Sequence, residues 1–264
     1  MCRYVVVFLL CSVIPCAWSV ALDACAHTDN DCTFIAFDES NQRYHRINND
    51  RANRPFSPFS TFKIPHTLIA LKTGAATFSH HYTIDLNRYP QEAWWPDSWL
   101  GKHTLQTAFQ YSVVPIYRVF AQQIGVFNMQ RYLDHFRYGN QRLAPEIDNF
   151  WLNGHLAISA KEQVDFLRKA YRNEFSWVAD SKQQLKTLML VESTPEYRLY
   201  AKTGAGFLAP DKTLGWYVGF VERDSPTGVN VYYFALNVEG NSIDAIRNRR
   251  IDMAMLHLKQ LGIL

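Results

Sequence analysis

The chain has 264 residues, 48% apolar and 14% aromatic, which is enough to bury a full core and excludes a disordered chain or a small disulfide knot. Its 27 basic and 24 acidic residues leave a net charge of +3, and the longest basic run is Arg249-Arg250. That excludes the concentrated basic stripe of a nucleic-acid binder. The amino terminus reads as an export signal. Arg3 supplies the positive charge, and Val5 to Ile14 form an apolar stretch well short of the ~20 residues that cross a bilayer. Ser19 and Ala21 supply the small residues of a cleavage site. Residues 1–21 are expected to be removed, giving an exported, periplasmic protein that begins near Leu22 and holds no membrane segment. Cys2, Cys11 and Cys16 leave with the signal. Cys25 and Cys32 remain, and their spacing leaves both a disulfide and two free thiols open.

The elements follow in chain order. Thr33 to Phe37 and Tyr44 to Ile47 read as strands flanking the turn cluster Asp38-Glu39-Ser40-Asn41. From Ser60 the apolar spacing of Phe62, Ile64, Leu68, Ile69 and Leu71 predicts a helix that Gly74 stops, with Pro65 near the end of its first turn. Thr104 to Tyr111 is helical, Pro115 interrupts, Ile116 to Ile124 continues to Gly125, and Asn128 to Arg137 forms another short helix. Ser159-Ala160-Lys161-Glu162 is a capping box opening a helix through Tyr171, and Ser181 to Leu190 is helical again. Arg198 to Lys202, Gly215 to Glu222 and Val229 to Val238 are β-rich, the last two joined through Ser225-Pro226-Thr227-Gly228. Ser242 caps one final amphipathic helix carrying Ile243, Ile246, Ile251, Met255 and Leu258. The expected fold is mixed α+β: one catalytic domain over residues 22–264, with an antiparallel sheet from both chain ends (22–59 and 191–264) and an inserted, mainly helical part (60–190).

Ser60-Thr61-Phe62-Lys63 carries the chemistry. Residues three apart share a helical face, about 5–6 Å between Cβ atoms. A serine hydroxyl needs a base beside it, and a lysine with its ordinary pKa near ~10.4 cannot serve at neutral pH unless it is neutral or modified. Phe59, Phe62 and Ile64 offer the desolvation that lowers such a pKa. Lys-Thr-Gly occurs twice. Lys72-Thr73-Gly74 ends a helix and reads as a cap, whereas Lys202-Thr203-Gly204 ends an alternating strand and can border a cleft. SxxK followed by a later KTG is the order of penicillin-recognising enzymes. His80-His81 and His103 lack metal-ligand spacing, so no metal is expected. Trp94, Trp95 and Trp99 read as packing or cleft rim.

With these motifs stand Phe59-Ser60-Thr61-Phe62-Lys63-Ile64-Pro65, Tyr111-Ser112-Val113-Val114, Tyr138-Gly139-Asn140 and Phe150-Trp151-Leu152-Asn153-Gly154 running on to Ser159. In that order and spacing the chain resembles the class D serine β-lactamases, the oxacillinase type. The resemblance implies a β-lactamase/transpeptidase-like fold and hydrolysis of penicillin-type antibiotics through a serine acyl-enzyme, conferring resistance. Ser60 would be the nucleophile. Lys63, carboxylated by CO2, would be the general base, with no dissociable cofactor. Ser112 would relay a proton, and Val114 and Trp151 would surround the modified lysine. Lys202, Thr203 and Gly204 would line the site, with Lys202 supporting proton transfer as a catalytic residue, and the backbone N–H groups of Ser60 and Ala205 would form the oxyanion hole. Arg250 would bind the substrate carboxylate, with Arg247 and Arg249 as alternatives, and Tyr138-Gly139-Asn140 would be structural. The Ser-Asp-Asn block of class A is replaced by Ser112-x-Val114. Two other readings share the fold. A penicillin-sensing receptor domain acylates without turnover and is expected to follow membrane helices, and a cell-wall transpeptidase is expected to bring further domains. The expected partners are β-lactam small molecules, with no nucleic acid and no membrane. The sequence leaves the oligomeric state open.

Overall fold

The structure, a computed structural model, describes Cys25, residues 31–226 and residues 228–264. The expected signal, residues 1–21, and Thr227 of the last hairpin turn lie outside the described residues.

The chain opens with β1 (Cys32–Asp38), buried along its whole length, and β2 (Arg43–Ile47), paired antiparallel with Phe34 opposite Ile47. A disulfide joins Cys25 to Cys32 at the start of β1, deciding between the two alternatives for these cysteines. After α1 (Asn49–Ala52), a 3-10 turn over Phe59–Phe62 leads into α2 (Lys63–Thr73). Next come the short strands β3 (His81–Tyr82) and β4 (His103–Thr104), then α3 (Leu105–Gln110) and α4 (Val114–Phe136). α5 (Ala160–Tyr171) opens with the Ser159–Glu162 capping box, and α6 (Ser181–Met189) follows. The remainder is β5 (Leu190–Ser193), β6 (Tyr197–Ala209), β7 (Lys212–Ser225), β8 (Gly228–Gly240), α7 (Ile243–Arg247) and α8 (Arg249–Gln260).

Six strands form one antiparallel sheet in the order β2-β1-β8-β7-β6-β5, so the two chain ends meet at the β1–β8 pair. Side chains alternate across a strand, and here both faces are covered. Ile35 and Phe37 of β1, with Trp216, Val218 and Phe220 of β7, pack into the large core shared with the helical part. Phe34 and Ala36, with Tyr217 and Val221, pack with Met253, Ala254 and Leu258 of α8 in a second core. Burial on both faces explains why these strands read as apolar runs.

Several elements differ from expectation. Ser60 lies in the 3-10 turn before α2, because Phe59 adopts φ +48° and turns the chain sharply there. Pro115 sits in the first turn of α4, where no intrahelical hydrogen bond is lost, and the break falls instead at Ser112-Val113. At Gly125, by contrast, the backbone leaves the helical region (φ 74°, ψ 160°), so α4 is two helices meeting at a kink, in keeping with the expected pair. Lys202-Thr203-Gly204 lies in the middle of β6, which continues to Ala209 because β7 pairs with it along the whole hairpin. The final helix is two, with Asn248 between α7 and α8.

Candidate active site

The turn carrying Ser60 is held from three sides. Phe56 and Ile158 exchange backbone hydrogen bonds of 3.0 and 2.8 Å. The Trp151 carbonyl accepts from Phe59 N–H at 3.1 Å and from Ser57 Oγ at 3.0 Å. Gln163 of α5 donates to Thr61 Oγ1 at 2.8 Å and in turn accepts from Tyr138 Oη at 3.2 Å. On the sheet side, Gly204 lets β6 approach: a Cβ there would stand 2.9 Å from the Pro58 carbonyl oxygen and 3.2 Å from Thr61 N. At Gly206 a Cβ would overlap the Phe59 ring. These glycines let Ser60 and β6 share one cleft.

Lys63 follows in the first turn of α2. It is fully buried, with Nζ 3.2 Å from Ser60 Oγ and 4.9 Å from the centre of the Tyr117 ring. Burial, reinforced by the positive charge of Arg118, brings its pKa down to about 7. Around it are aromatic rings. Trp151 stacks on Phe62 at 5.6 Å, and both pack against His66 at 5.2 Å. Among the described residues the Trp151 indole nitrogen is buried without a hydrogen-bond partner, as are both ring nitrogens of His66. Burial and the Lys63 charge lower the His66 pKa to about 3, so its imidazole is neutral.

Ser112 reaches the cleft from the loop between α3 and α4 with φ +59°, a left-handed conformation that costs about 1–3 kcal/mol for a non-glycine residue. Its Oγ accepts from Lys202 Nζ at 2.5 Å, and Lys202 also donates to the Thr203 carbonyl at 2.9 Å. Lys202 is almost entirely buried, and burial beside Lys63 and Arg250 holds its pKa well below the ordinary lysine value. Past Ala201 the β6 edge has no β5 partner, because β5 pairs only with Arg198, Leu199 and Tyr200.

Of the three candidate arginines, Arg250 hydrogen-bonds this strand, donating to the Gly204 carbonyl at 2.6 Å. Burial, with Arg247 nearby, lowers its pKa to about 10, so it stays charged at neutral pH. Arg247 pairs with Asp244 at the surface, and Arg249 bonds the Glu239 carbonyl.

Ser60, Ser112, Val114 and Ala205 line one cleft of about 380 Å³, with Leu152, Arg118 and the Trp94, Trp95 and Trp99 cluster on its other walls. Lys202 and Thr203 border an adjoining hollow beside Phe109 and Leu190. The expected site residues are thus brought together, whereas Lys72-Thr73-Gly74 caps α2 elsewhere. Tyr117, Arg118 and His66 were not singled out from the sequence. A signal existed for them: His66 lies one turn after Lys63, and Tyr117 and Arg118 one turn after Val114. Among the described residues no group of three or more His, Cys, Asp or Glu is placed to hold a metal ion, and no helix is long and apolar enough to cross a membrane.

Comparisons with known proteins agree with this geometry. The penicillin-binding protein transpeptidase domain family matches residues 32–251. β-Lactamase OXA-48 of Klebsiella pneumoniae is 38% identical over 216 residues, covering 82% of this chain and 78% of that protein. Among solved structures, the class D β-lactamase FUS-1 (OXA-85) of Fusobacterium nucleatum superposes with a TM-score of 0.80 at 31% identity, covering 89% of this chain and 93% of that one. The C-terminal domain of the BlaR penicillin-receptor of Bacillus licheniformis gives 0.79 at 28% identity, covering 89% and 92%. The family match, the shared fold and the identity across most of both chains agree, and the chain belongs to the class D β-lactamases, hydrolases with the penicillin-binding transpeptidase fold.

Proposed function

We propose that residues 22–264 form a single catalytic domain, exported after signal cleavage, that opens the β-lactam ring of penicillin-type antibiotics through a Ser60 acyl-enzyme and so confers resistance to them. The observation that carries this reading is Lys63: a fully buried lysine 3.2 Å from the Ser60 hydroxyl, with a pKa near neutrality. Its surroundings fit a carboxylated lysine. About half of the amine is neutral near pH 7, as reaction with CO2 requires, and the Trp151 N–H is a buried donor without an acceptor among the described residues. Carboxylated by CO2, Lys63 would supply an anionic general base held by Trp151 and shielded by Val114.

The chain's own residues account for the steps. Ser60 Oγ attacks the lactam carbonyl carbon, giving up its proton toward the Lys63 side chain. The N–H groups of Ser60 and Ala205 receive the developing oxyanion, where fixed donors act without reorganisation. As the C–N bond breaks, the lactam nitrogen takes a proton from Ser112. Because the Ser112 oxygen accepts from Lys202, its own hydrogen is free for that donation, and Lys202 supports the transfer. Arg250 anchors the substrate carboxylate, with Thr203 and Gly204 along the strand edge. Water admitted beside Lys63 then hydrolyses the ester and frees Ser60.

The test combines turnover with mass spectrometry. Many equivalents of a chromogenic cephalosporin should be hydrolysed, with a transient penicillin adduct on Ser60 and none on Ser60→Ala. A single-equivalent burst would instead indicate a receptor-like domain, and labelling of Ser60→Ala would remove Ser60 as nucleophile.

A further inference from the structure

The proposed reaction uses Ser60, Ser112, Val114 and Ala205 and leaves one wall of the cleft unassigned. That wall includes Arg88, Trp95 and Arg118. Arg118 stands one turn beyond Val114 on the same face of α4, and Gln122 continues the row. Gln122 is engaged, donating to Tyr89 Oη at 3.1 Å and to Asp148 at 3.0 Å. Arg118, whose guanidinium carbon lies 5.7 Å from the centre of the Tyr89 ring, differs: its Nε is buried without a hydrogen-bond partner, and no carboxylate pairs with it among the described residues. The neighbouring acids are occupied. Asp148 accepts from Tyr89 Oη at 3.2 Å and from Gln122, and Glu92, at the cleft rim, accepts from Trp94 Nε1 at 2.7 Å.

Trp95 repeats the pattern. It is 8% exposed, and its indole nitrogen is also buried and without a hydrogen-bond partner among the described residues. Buried donors are nearly always satisfied, so two orphans on the wall of one cavity point to an acceptor that arrives with a ligand. A guanidinium matches a planar carboxylate with two parallel hydrogen bonds, and the exposed Arg88 adds positive charge at the rim. A penicillin has two arms on opposite sides of its fused rings. With the ring carboxylate at Arg250 and the lactam carbonyl at Ser60, the acylamino arm is left to the rest of the cleft, whose lining includes Arg118 and Trp95.

We propose that Arg118, with the Trp95 N–H in the same cleft, forms an anion subsite for the acyl arm, so that the protein favours penicillins bearing a side-chain carboxylate over their neutral counterparts. This rests on the proposed β-lactam hydrolysis. Benzylpenicillin and its α-carboxy derivative, carbenicillin, differ by that one carboxylate. Because Arg118 also bears on Lys63, Arg118→Gln is expected to change turnover of both substrates, and the ratio of their kcat/KM values isolates the subsite. The carbenicillin-to-benzylpenicillin ratio should fall on the order of tenfold in Arg118→Gln and less in Arg118→Lys, with about a twofold to threefold fall in Trp95→Phe. Raised salt should lower the ratio in the unmodified protein. An unchanged ratio in Arg118→Gln, with benzylpenicillin still hydrolysed, overturns the subsite and leaves the reaction standing. If the unmodified protein turns over neither penicillin, the reaction reading fails, and the ratio of calorimetric Kd values on Ser60→Ala, with and without Arg118→Gln, decides the subsite.

Discussion

Lys72-Thr73-Gly74 and Lys202-Thr203-Gly204 are the same three residues in two settings. The first closes α2: Thr73 Oγ1 bonds back to the Ile69 carbonyl at 2.8 Å, Gly74 takes the left-handed cap at φ 78°, and Lys72 is exposed near the negative end of the helix dipole. The second lies in β6 against the Ser60 turn, with Lys202 buried beside Ser112 and between two other cations. In one copy the glycine serves its own φ; in the other it serves the approach of a neighbouring backbone. Burial among charges separates Lys202 from the solvated Lys72, and the tripeptide alone carries no chemistry.

Substituting each copy in turn gives the sharpest contrast. Lys202→Ala should reduce kcat/KM by roughly 10²- to 10⁴-fold, the range for loss of a proton-transfer group, whereas Lys72→Ala should stay within about twofold. Equal losses would break the comparison. The glycines should separate by kind of damage. Gly204→Ala should cost about 10²-fold in activity by pushing β6 from the Pro58 carbonyl and misplacing Ser60. Gly74→Ala, at positive φ with open space around its Cβ position, should lower stability by about 1 kcal/mol and leave kcat unchanged. Thermal melts beside kinetics decide between these outcomes.

Arg250 extends the contrast to the last helix. Arg250→Ala should raise KM for carboxylate-bearing substrates by tenfold or more, from a charge-assisted contact of about 1.5–3 kcal/mol, while the surface-paired Arg247→Ala changes KM little. A large KM effect at Arg247 instead would move the carboxylate anchor to α7.

The smallest effect is pH dependence near neutrality. Lys63 has a pKa of about 7, so with bicarbonate present kcat/KM should rise with pH through that value and fall about tenfold for each unit below it. The same depression has a stability consequence. Between about 7 and the ordinary 10.5 the unfolded chain binds more protons at this lysine than the folded one, so its contribution to stability rises with pH across that window. A rate profile flat from pH 6 to 8 would show that Lys63 does not titrate where burial places it.

The parts legible in the sequence are those fixed by local rules. The Ser159–Glu162 capping box, the Gly74 cap and the i, i+3 spacing of Ser60 and Lys63 need only neighbours in the chain. What stayed hidden depends on distant partners. β6 runs on past Gly204 because β7 pairs with it, and β5 exists because Leu190 and Ser193 find Tyr200 and Arg198. The tryptophans at 94, 95 and 99 read as packing or rim, and they are both: Trp95 and Trp99 are buried, Trp94 is exposed, and all three line the cleft. Arg118 carries no motif, and that no carboxylate pairs with it among the described residues is visible only in three dimensions.

The central claim is that Lys63 acts as a CO2-modified base beside Ser60. The most direct measurement is carbon-13 NMR of the protein in labelled bicarbonate, read with steady-state turnover of a penicillin before and after degassing at mildly acid pH. The account predicts a carbamate resonance that is absent from Lys63→Ala, lost together with turnover on degassing and restored with it by bicarbonate. No such resonance in a protein turning over at full rate would contradict it.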